Sequence, residues 1–182
     1  MKHVVYKLMF DYQKEEKWIN EMALKGMNFI DYSIGRYLFE EGRPGEYLYR
    51  IELLKNNPRH AESAAYIKFM EELGIECVST YVNWVYFRKK AADGPFDLFT
   101  DCDSKIAHCN RTATIMGIAF TANAVAALIN LMIPFVSSGN SAGAINFVCG
   151  LISLTIAIIL APIYFSYRGK LKKLLADRQL RE

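Results

Sequence analysis

"ATIMGIAFTANAVAALINLMIPFV" (residues 113–136) contains no charged residue, and neither does "AINFVCGLISLTIAIILAPIYF" (residues 144–165). At about 1.5 Å of rise per residue, each run forms a helix long enough to cross a hydrocarbon core of about 30 Å. A short polar segment, "SSGNSAG" (residues 137–143), joins the two runs. The sequence therefore predicts a transmembrane helical hairpin over residues 113–166.

Basic residues flank the predicted hairpin on one side only. Lys105 and Arg111 precede it, the connecting segment has neither Lys nor Arg, and residues 168–182 contain six basic and two acidic residues. Because positively charged flanks stay in the cytoplasm, we predict that both termini are cytoplasmic. The basic tail (residues 167–182) can also attract anionic membrane lipids, although fixing the topology is its simpler role.

Each predicted span carries a stripe of small and polar residues at helical spacing. The stripes comprise Ala119, Asn123, Ala126 and Asn130 in the first span and Gly143, Asn146, Gly150 and Ser153 in the second. Small residues let helix backbones approach, and amides in lipid need hydrogen-bond partners. We expect the stripes to face each other or a neighbouring subunit. In the second case the chain could be an accessory subunit of a membrane transporter.

The first ninety residues alternate between strand-like and helix-like patterns. Strands are predicted over residues 3–10, 27–41, 46–54 and 76–90, the second with a break or bulge near residues 33–35. With a helix after the first strand and another after the third, the order is β-α-β-β-α-β. This order predicts an α+β domain of ferredoxin-like topology over residues 1–90, with both helices on one face of a four-stranded antiparallel sheet.

The two predicted head helices have recognisable ends. The first runs from about residue 13 to residue 25, with Asp11 as a cap, its charges on the solvent side and Gly26 as a left-handed stop. The second begins after Asn57 and ends at Gly74. The predicted apolar sides comprise Trp18, Ile19, Met22 and Ala23 in the first helix and Ala61, Ala65, Phe69 and Leu73 in the second.

The sheet face away from the helices is predicted to be unusually aromatic, although the register that decides which rings point outward stays open. RNA-recognition domains expose aromatic rings on such a face, but neither candidate strand has their basic–Gly–aromatic signature, so we predict no nucleic-acid binding. We expect a protein partner, a second copy or the following segment to cover this face. The candidate contact residues of the head are Trp18, Tyr47, Tyr49, Trp84 and Tyr86.

A neck over residues 91–112 joins the head to the hairpin. Its rings, Phe96 and Phe99, complete the candidate partner-binding residues, because an apolar neck either docks on the sheet or lies at the lipid interface. Cys102 and Cys109 stand two helical turns apart, roughly 10 Å, which is too far for one tetrahedral ion. We therefore predict no metal site and no cofactor.

No arrangement of residues typical of catalysis is recognisable. The three histidines, His3, His60 and His108, belong to separate predicted elements. The sequence contains no Gly-rich phosphate loop and no nucleophile elbow. We predict that the protein is not an enzyme.

Three segments together resemble a known family. They are "KEEKWINEMALKGMNF" (residues 14–29), "GRYLFEEGRPGEYLYRIELL" (residues 35–54) and "GPFDLFTDCDSKIAH" (residues 94–108). The chain resembles the domain of unknown function 2812 family, which consists of small bacterial membrane proteins often encoded beside PadR-type transcriptional repressors. Met27 stands where that family often has Trp. The resemblance implies a bacterial cell-membrane location and a part in envelope stress or a PadR-controlled membrane response, without established catalytic residues.

These features lead to one principal functional hypothesis. The protein is expected to be a non-enzymatic interaction or sensing module that a two-pass hairpin anchors to the membrane. Its expected partners are membrane lipids and either another protein, membrane or cytoplasmic, or a second copy of the chain. The accessory transporter subunit is the alternative.

Overall fold

The computed structural model describes residues 1–98, 102–136 and 141–179. The chain forms two compact units, residues 1–100 and residues 101–182. The first unit, which we call the head, contains six strands and two helices, and the second contains two long apolar helices. The predicted α+β class with a following pair of long apolar helices is confirmed.

The head consists of two successive β-α-β-β units. The first contains β1 (Lys2–Tyr6), α1 (Tyr12–Leu24), β2 (Met27–Ser33) and β3 (Arg36–Glu41), and the second contains β4 (Tyr47–Leu53), α2 (Ala61–Glu72), β5 (Glu76–Tyr81) and β6 (Trp84–Lys90). Each β-α-β-β unit of the head forms its own antiparallel three-stranded sheet, in which the last strand of the unit is central. The strand orders are β1-β3-β2 and β4-β6-β5. The head thus contains a structural repeat that the sequence analysis missed.

The single four-stranded sheet expected for a ferredoxin-like domain is not confirmed. Two of the predicted long strands are hairpins, β2–β3 and β5–β6. Gly35 and Val82 turn these hairpins with positive φ values of 69° and 55°, which break strand geometry. The bulge predicted near residues 33–35 lies earlier, between Phe29 and Asp31.

Helix α1 has its predicted cap, end and apolar side, but the prediction that its charges lie on the solvent side is wrong for Glu15, which is buried. The Asp11 carboxylate accepts a hydrogen bond from the Gln13 backbone N–H at 3.1 Å and caps the helix. Gly26, with φ of 80°, follows its end. Ile19 and Ala23 are buried on the predicted apolar side.

Helix α2 differs from its prediction at its start and in its buried side. His60 rather than Asn57 caps it, through a hydrogen bond that Nδ1 accepts from the Glu62 N–H. Phe69 and Leu73 are exposed, so the predicted buried side is wrong. The buried side chains are Ser63 and Met70, with Tyr66 and Ile67 partly buried beside the core. The Tyr66 hydroxyl donates to Glu52 of β4 at 2.8 Å, so the side of α2 that carries Tyr66 faces the sheet.

Two apolar clusters fill the head. The larger cluster comprises Ile19, Ala23, Phe29, Tyr37, Phe39, Tyr49, Ile51 and Tyr86, and therefore draws on α1 and both sheets. The smaller comprises Leu54, Met70, Val85, Phe87 and Phe96. Phe96 brings the start of the predicted neck into the head core, where it is 3% exposed.

The second unit contains α3 (Cys102–Val136) and α4 (Ser141–Gln179). Each is long and apolar enough to cross a membrane, with mean hydropathies of 1.8 and 2.4 over their most apolar windows. Residues 102–112 of the predicted neck form the first turns of α3, and the described part of the basic tail continues α4. Both helices therefore extend beyond the apolar runs that define the predicted hairpin. The connecting residues 137–140 lie outside the described residues.

Candidate functional site

The side of α1 that faces β4 covers the open edge of that strand. Asn20 accepts a hydrogen bond from the Tyr49 N–H at 2.9 Å and donates one to the Tyr49 carbonyl at 3.0 Å. Glu16 accepts from the Ile51 N–H at 2.9 Å and forms an ion pair with Arg50 at 3.4 Å. These polar side chains take the place of a neighbouring strand, so β4 has no exposed ladder along this stretch.

Glu15 lies on the neighbouring side of α1 and is buried among tyrosines. The Tyr86 hydroxyl donates to its carboxylate at 2.8 Å. Burial raises the pKa of Glu15, and the hydrogen bond from Tyr86 partly offsets that rise. Desolvation and the negative charge of Glu15 also raise the pKa values of Tyr37 and Tyr86. The Glu15 carboxyl therefore joins α1 to β6 through a hydrogen bond, and its charge also acts on Tyr37 of β3.

Three of the candidate partner-binding rings are buried in the structure. Tyr49, Tyr86 and Phe96 are at most 3% exposed. The Tyr49 hydroxyl donates to the Phe29 carbonyl at 3.2 Å, and burial raises its pKa to about 12. These three rings are core residues of the isolated chain and are not displayed on an open sheet face.

The other candidate rings of the head are only partly buried. Trp18 packs edge-on against Tyr37, with 4.8 Å between the ring centroids. The Lys7 ammonium lies 4.4 Å from the centroid of the Trp18 ring. Arg88 covers Tyr47 at 4.4 Å. Trp84 lies 5.2 Å from Tyr12. Phe99 lies outside the described residues.

A different apolar surface of the head is exposed. Tyr6, Leu8 and Ile34 are 78%, 73% and 74% exposed, and Val4 is partly exposed on the same side of β1 as Tyr6. The Leu8 side chain lies against Gly35, where an added Cβ would meet it at 2.8 Å. We call Val4, Tyr6, Leu8 and Ile34 the β1 patch. Alternation over "HVVYKLMF" indicated a strand, but only the sheet order identifies β1 as an edge.

The predicted small-residue stripes lie on the less exposed sides of α3 and α4. Gly143 and Gly150 are buried, and Asn146 and Ser153 are half-buried. The four stripe residues of α3 are half-buried; they are Ala119, Asn123, Ala126 and Asn130. A Cβ on Gly150 would lie 2.8 Å from Leu131 Cγ and 3.2 Å from its backbone nitrogen. The two helices therefore approach closely where this glycine leaves space.

The amide groups of Asn123 and Asn130 each donate a hydrogen bond within α3. Asn123 donates to the Ala119 carbonyl at 2.9 Å, and Asn130 donates to the Ala126 carbonyl at 2.8 Å. A second close contact between the helices was not predicted: a Cβ on Gly117 would lie 2.8 Å from the Tyr164 ring. A glycine opposite an aromatic ring is recognisable only once the two helices are aligned.

Among the described residues, no group of three or more His, Cys, Asp or Glu side chains is arranged to hold a metal ion.

The family described as "Protein of unknown function (DUF2812)" matches residues 11–121. This match covers more than half of the chain, from α1 of the head into α3. The chain belongs to the DUF2812 family. No curated protein and no solved structure matches the chain. For this DUF2812 protein, the function must therefore be argued from its own surfaces.

Proposed function

We propose that this DUF2812 protein is a membrane-anchored interaction module, in which the hairpin holds the head at a bacterial cell membrane and the head binds a protein partner. The observation that carries the proposal is the β1 patch, three of whose members are more than 70% exposed. Contiguous exposed apolar side chains mark interaction sites on soluble domains. Binding, unlike catalysis, requires no reactive group at such a surface.

The orientation that we propose has both termini in the cytoplasm. It is supported by the positive charges of α4 beyond its apolar run, which include Arg168, Lys170 and Lys172. The head then lies at the inner leaflet, where a cytoplasmic partner or a membrane protein can reach it. A role in a PadR-controlled or envelope-stress response is the finer part of the proposal, and the family resemblance alone supports it.

The accessory transporter subunit receives less support. The small and polar stripes that would contact a larger membrane protein already lie on the less exposed sides of α3 and α4. The space beside Gly150 is filled by the Leu131 side chain. The remaining hairpin surface is apolar and suits lipid as well as protein.

The test compares full-length proteins purified from their native membranes, with mass spectrometry of what stays bound. One variant carries Tyr6→Asp and Leu8→Asp in the β1 patch. The control carries Phe69→Asp in α2 and Leu73→Asp at its C-cap, two apolar residues that are more than half exposed. We expect the wild type and the α2 variant to retain the same partner and the β1 variant to lose it at least tenfold. Equal recovery from all three proteins would refute the proposal.

A further inference from the structure

Three of the four sheet edges in the head are covered. Side chains of α1 cover β4, as described above. The edges of β2 and β5 face each other: the Tyr32 N–H donates to the Ser79 hydroxyl at 3.2 Å, and that hydroxyl donates to Asp31 at 3.0 Å. Within the described part of the chain, only the outer edge of β1 has neither a pairing strand nor covering side chains. Free edges are the usual templates for pairing with another strand.

Hydrogen bonds at both ends of β1 fix which of its backbone groups point outward. The Lys7 N–H donates to the Gly35 carbonyl, and the Glu41 N–H donates to the Met1 carbonyl. Backbone groups of an antiparallel strand alternate between its two sides, so odd-numbered residues of β1 bond to β3. The even-numbered residues therefore direct their N–H and C=O groups to the open edge.

These outward residues are Lys2, Val4 and Tyr6, whose side chains are also exposed. Natural edge strands are usually blocked by charges, proline or a bulge. In β1 the only outward charge is Lys2, at one end. The centre of the edge is thus open and apolar.

We propose that the β1 edge pairs with the same edge of a second copy of this chain, in an antiparallel register centred on Val4. This inference deepens the proposed function by naming the occupant of the β1 patch. The two β1-β3-β2 sheets become one six-stranded sheet across a two-fold axis. Such self-complementary contacts are the commonest in homodimers.

The chemistry of β1 fits its own copy. With Val4 opposite Val4, each Lys2 stands opposite the other copy's Tyr6, so the outward side chains bring no like charges together and each Lys2 ammonium can lie on a ring. This register uses all three outward residues of each copy and makes about six new backbone hydrogen bonds. A five-residue strand is a small interface, but anchoring in one membrane raises the effective concentration of the copies.

Disulfide formation in the full-length protein tests the register. The test variant carries Val4→Cys, with all four native cysteines replaced by serine. In the proposed register, the Cα atoms of its two facing cysteines are about 5.5 Å apart, which is suitable for a disulfide. We expect mild oxidation in the membrane to convert most of it into a covalent dimer. Val5→Cys is the matched control: its side chain lies on the other face, and in this register it stands opposite the other copy's His3. Dimers in equal yield from both variants, or from neither, would overturn the proposed register.

A second variant tests the pairing without cysteine chemistry. Val4→Pro removes an outward N–H while leaving the hydrogen bonds to β3 in place. We expect the mass of the detergent-solubilised protein to fall from dimer to monomer, with the fluorescence of Trp18 and Trp84 unchanged. A monomeric wild type, or a dimer that tolerates proline, would overturn the inference. If the Tyr6→Asp and Leu8→Asp variant nevertheless loses a different protein, the interaction module stands and only the second copy is excluded.

Discussion

Glu15 illustrates how one residue can change its role between sequence and fold. Its position in the first turn of α1 suggests a solvent-exposed carboxylate that favours the helix dipole. The fold instead places it at 6% exposure, with Tyr86 as a hydrogen-bond donor. A buried carboxyl is tolerable only with such donors, since removing the charge from water is costly. The tyrosines that the sequence suggested for partner binding thus include one that stabilises a core acid.

This burial predicts a pH-dependent stability. The folded head holds the Glu15 proton over a pH range in which the unfolded chain has lost it, because the folded pKa is raised from about 4.5. The contribution of Glu15 to the free energy of unfolding therefore falls as pH rises through that range and is level above the raised pKa. Glu15→Gln removes this dependence and keeps an oxygen that can accept from Tyr86.

We expect the stability of Glu15→Gln relative to the wild type to increase as the pH rises from 4 to 8. Urea unfolding of the detergent-solubilised protein measures it through the tryptophans, both of which lie in the head. Glu21→Gln, on the exposed side of the same helix, is the control and should follow the wild type. Parallel curves for Glu15→Gln and the wild type would contradict the burial argument.

At the scale of elements, α1 and the hairpin show two ways in which helices meet their neighbours. Helix α1 uses polar side chains, Glu16 and Asn20, to satisfy a strand edge. Helices α3 and α4 instead pack closely at glycines, where Leu131 lies against Gly150 and Tyr164 lies against Gly117. In lipid the second mode is effective because close packing, rather than water exclusion, associates helices.

A methyl group at the hairpin contact should separate the helices. Gly150→Ala would place a Cβ 2.8 Å from Leu131 Cγ, and such overpacking costs about 1–3 kcal/mol. We expect the helical circular-dichroism signal of the variant to be lost at a lower SDS fraction than in the wild type. Gly169→Ala is the matched control on the same helix, because nothing lies within 4 Å of its added Cβ. Equal shifts in both variants would contradict the proposed contact.

At the scale of the whole molecule, the chain divides into two compact units, the head and a helical pair. The head buries its apolar side chains between two sheets and two helices. The helical pair leaves most of its apolar residues exposed, as a membrane requires. The β1 patch brings exposed apolar side chains of the head together at an open strand edge, which is why we connect it with binding.

The proposed topology predicts the labelling of engineered cysteines in intact cells. In a background without native cysteines, Lys14→Cys in the head and Lys173→Cys in α4 should react with a membrane-impermeant maleimide only after the cells are permeabilised. Gly139→Cys, between the two apolar runs, should react without permeabilisation. Labelling of Lys14→Cys in intact cells would place the head outside and contradict the cytoplasmic assignment.

The sequence determined the features that depend on local order. Charge-free runs longer than a bilayer and an N-cap such as Asp11 are properties of contiguous residues, and the structure contains helices in both places. The number of strands was not determined in this way. A positive φ at Val82 turns one predicted strand into a hairpin. This φ cannot be predicted from the residue type, because β-branched residues rarely adopt it.

Only the tertiary structure decided which surfaces are buried. The side of α2 that faces the core, the burial of Tyr49 and Tyr86, and the open edge of β1 all depend on which strands become neighbours. Strand pairing joins residues far apart in the chain, so a periodic pattern shows that a face exists without showing what covers it. For this protein the uncovered edge of β1 is therefore a property of the assembled sheet, and its candidate partner could be inferred only after that sheet was seen.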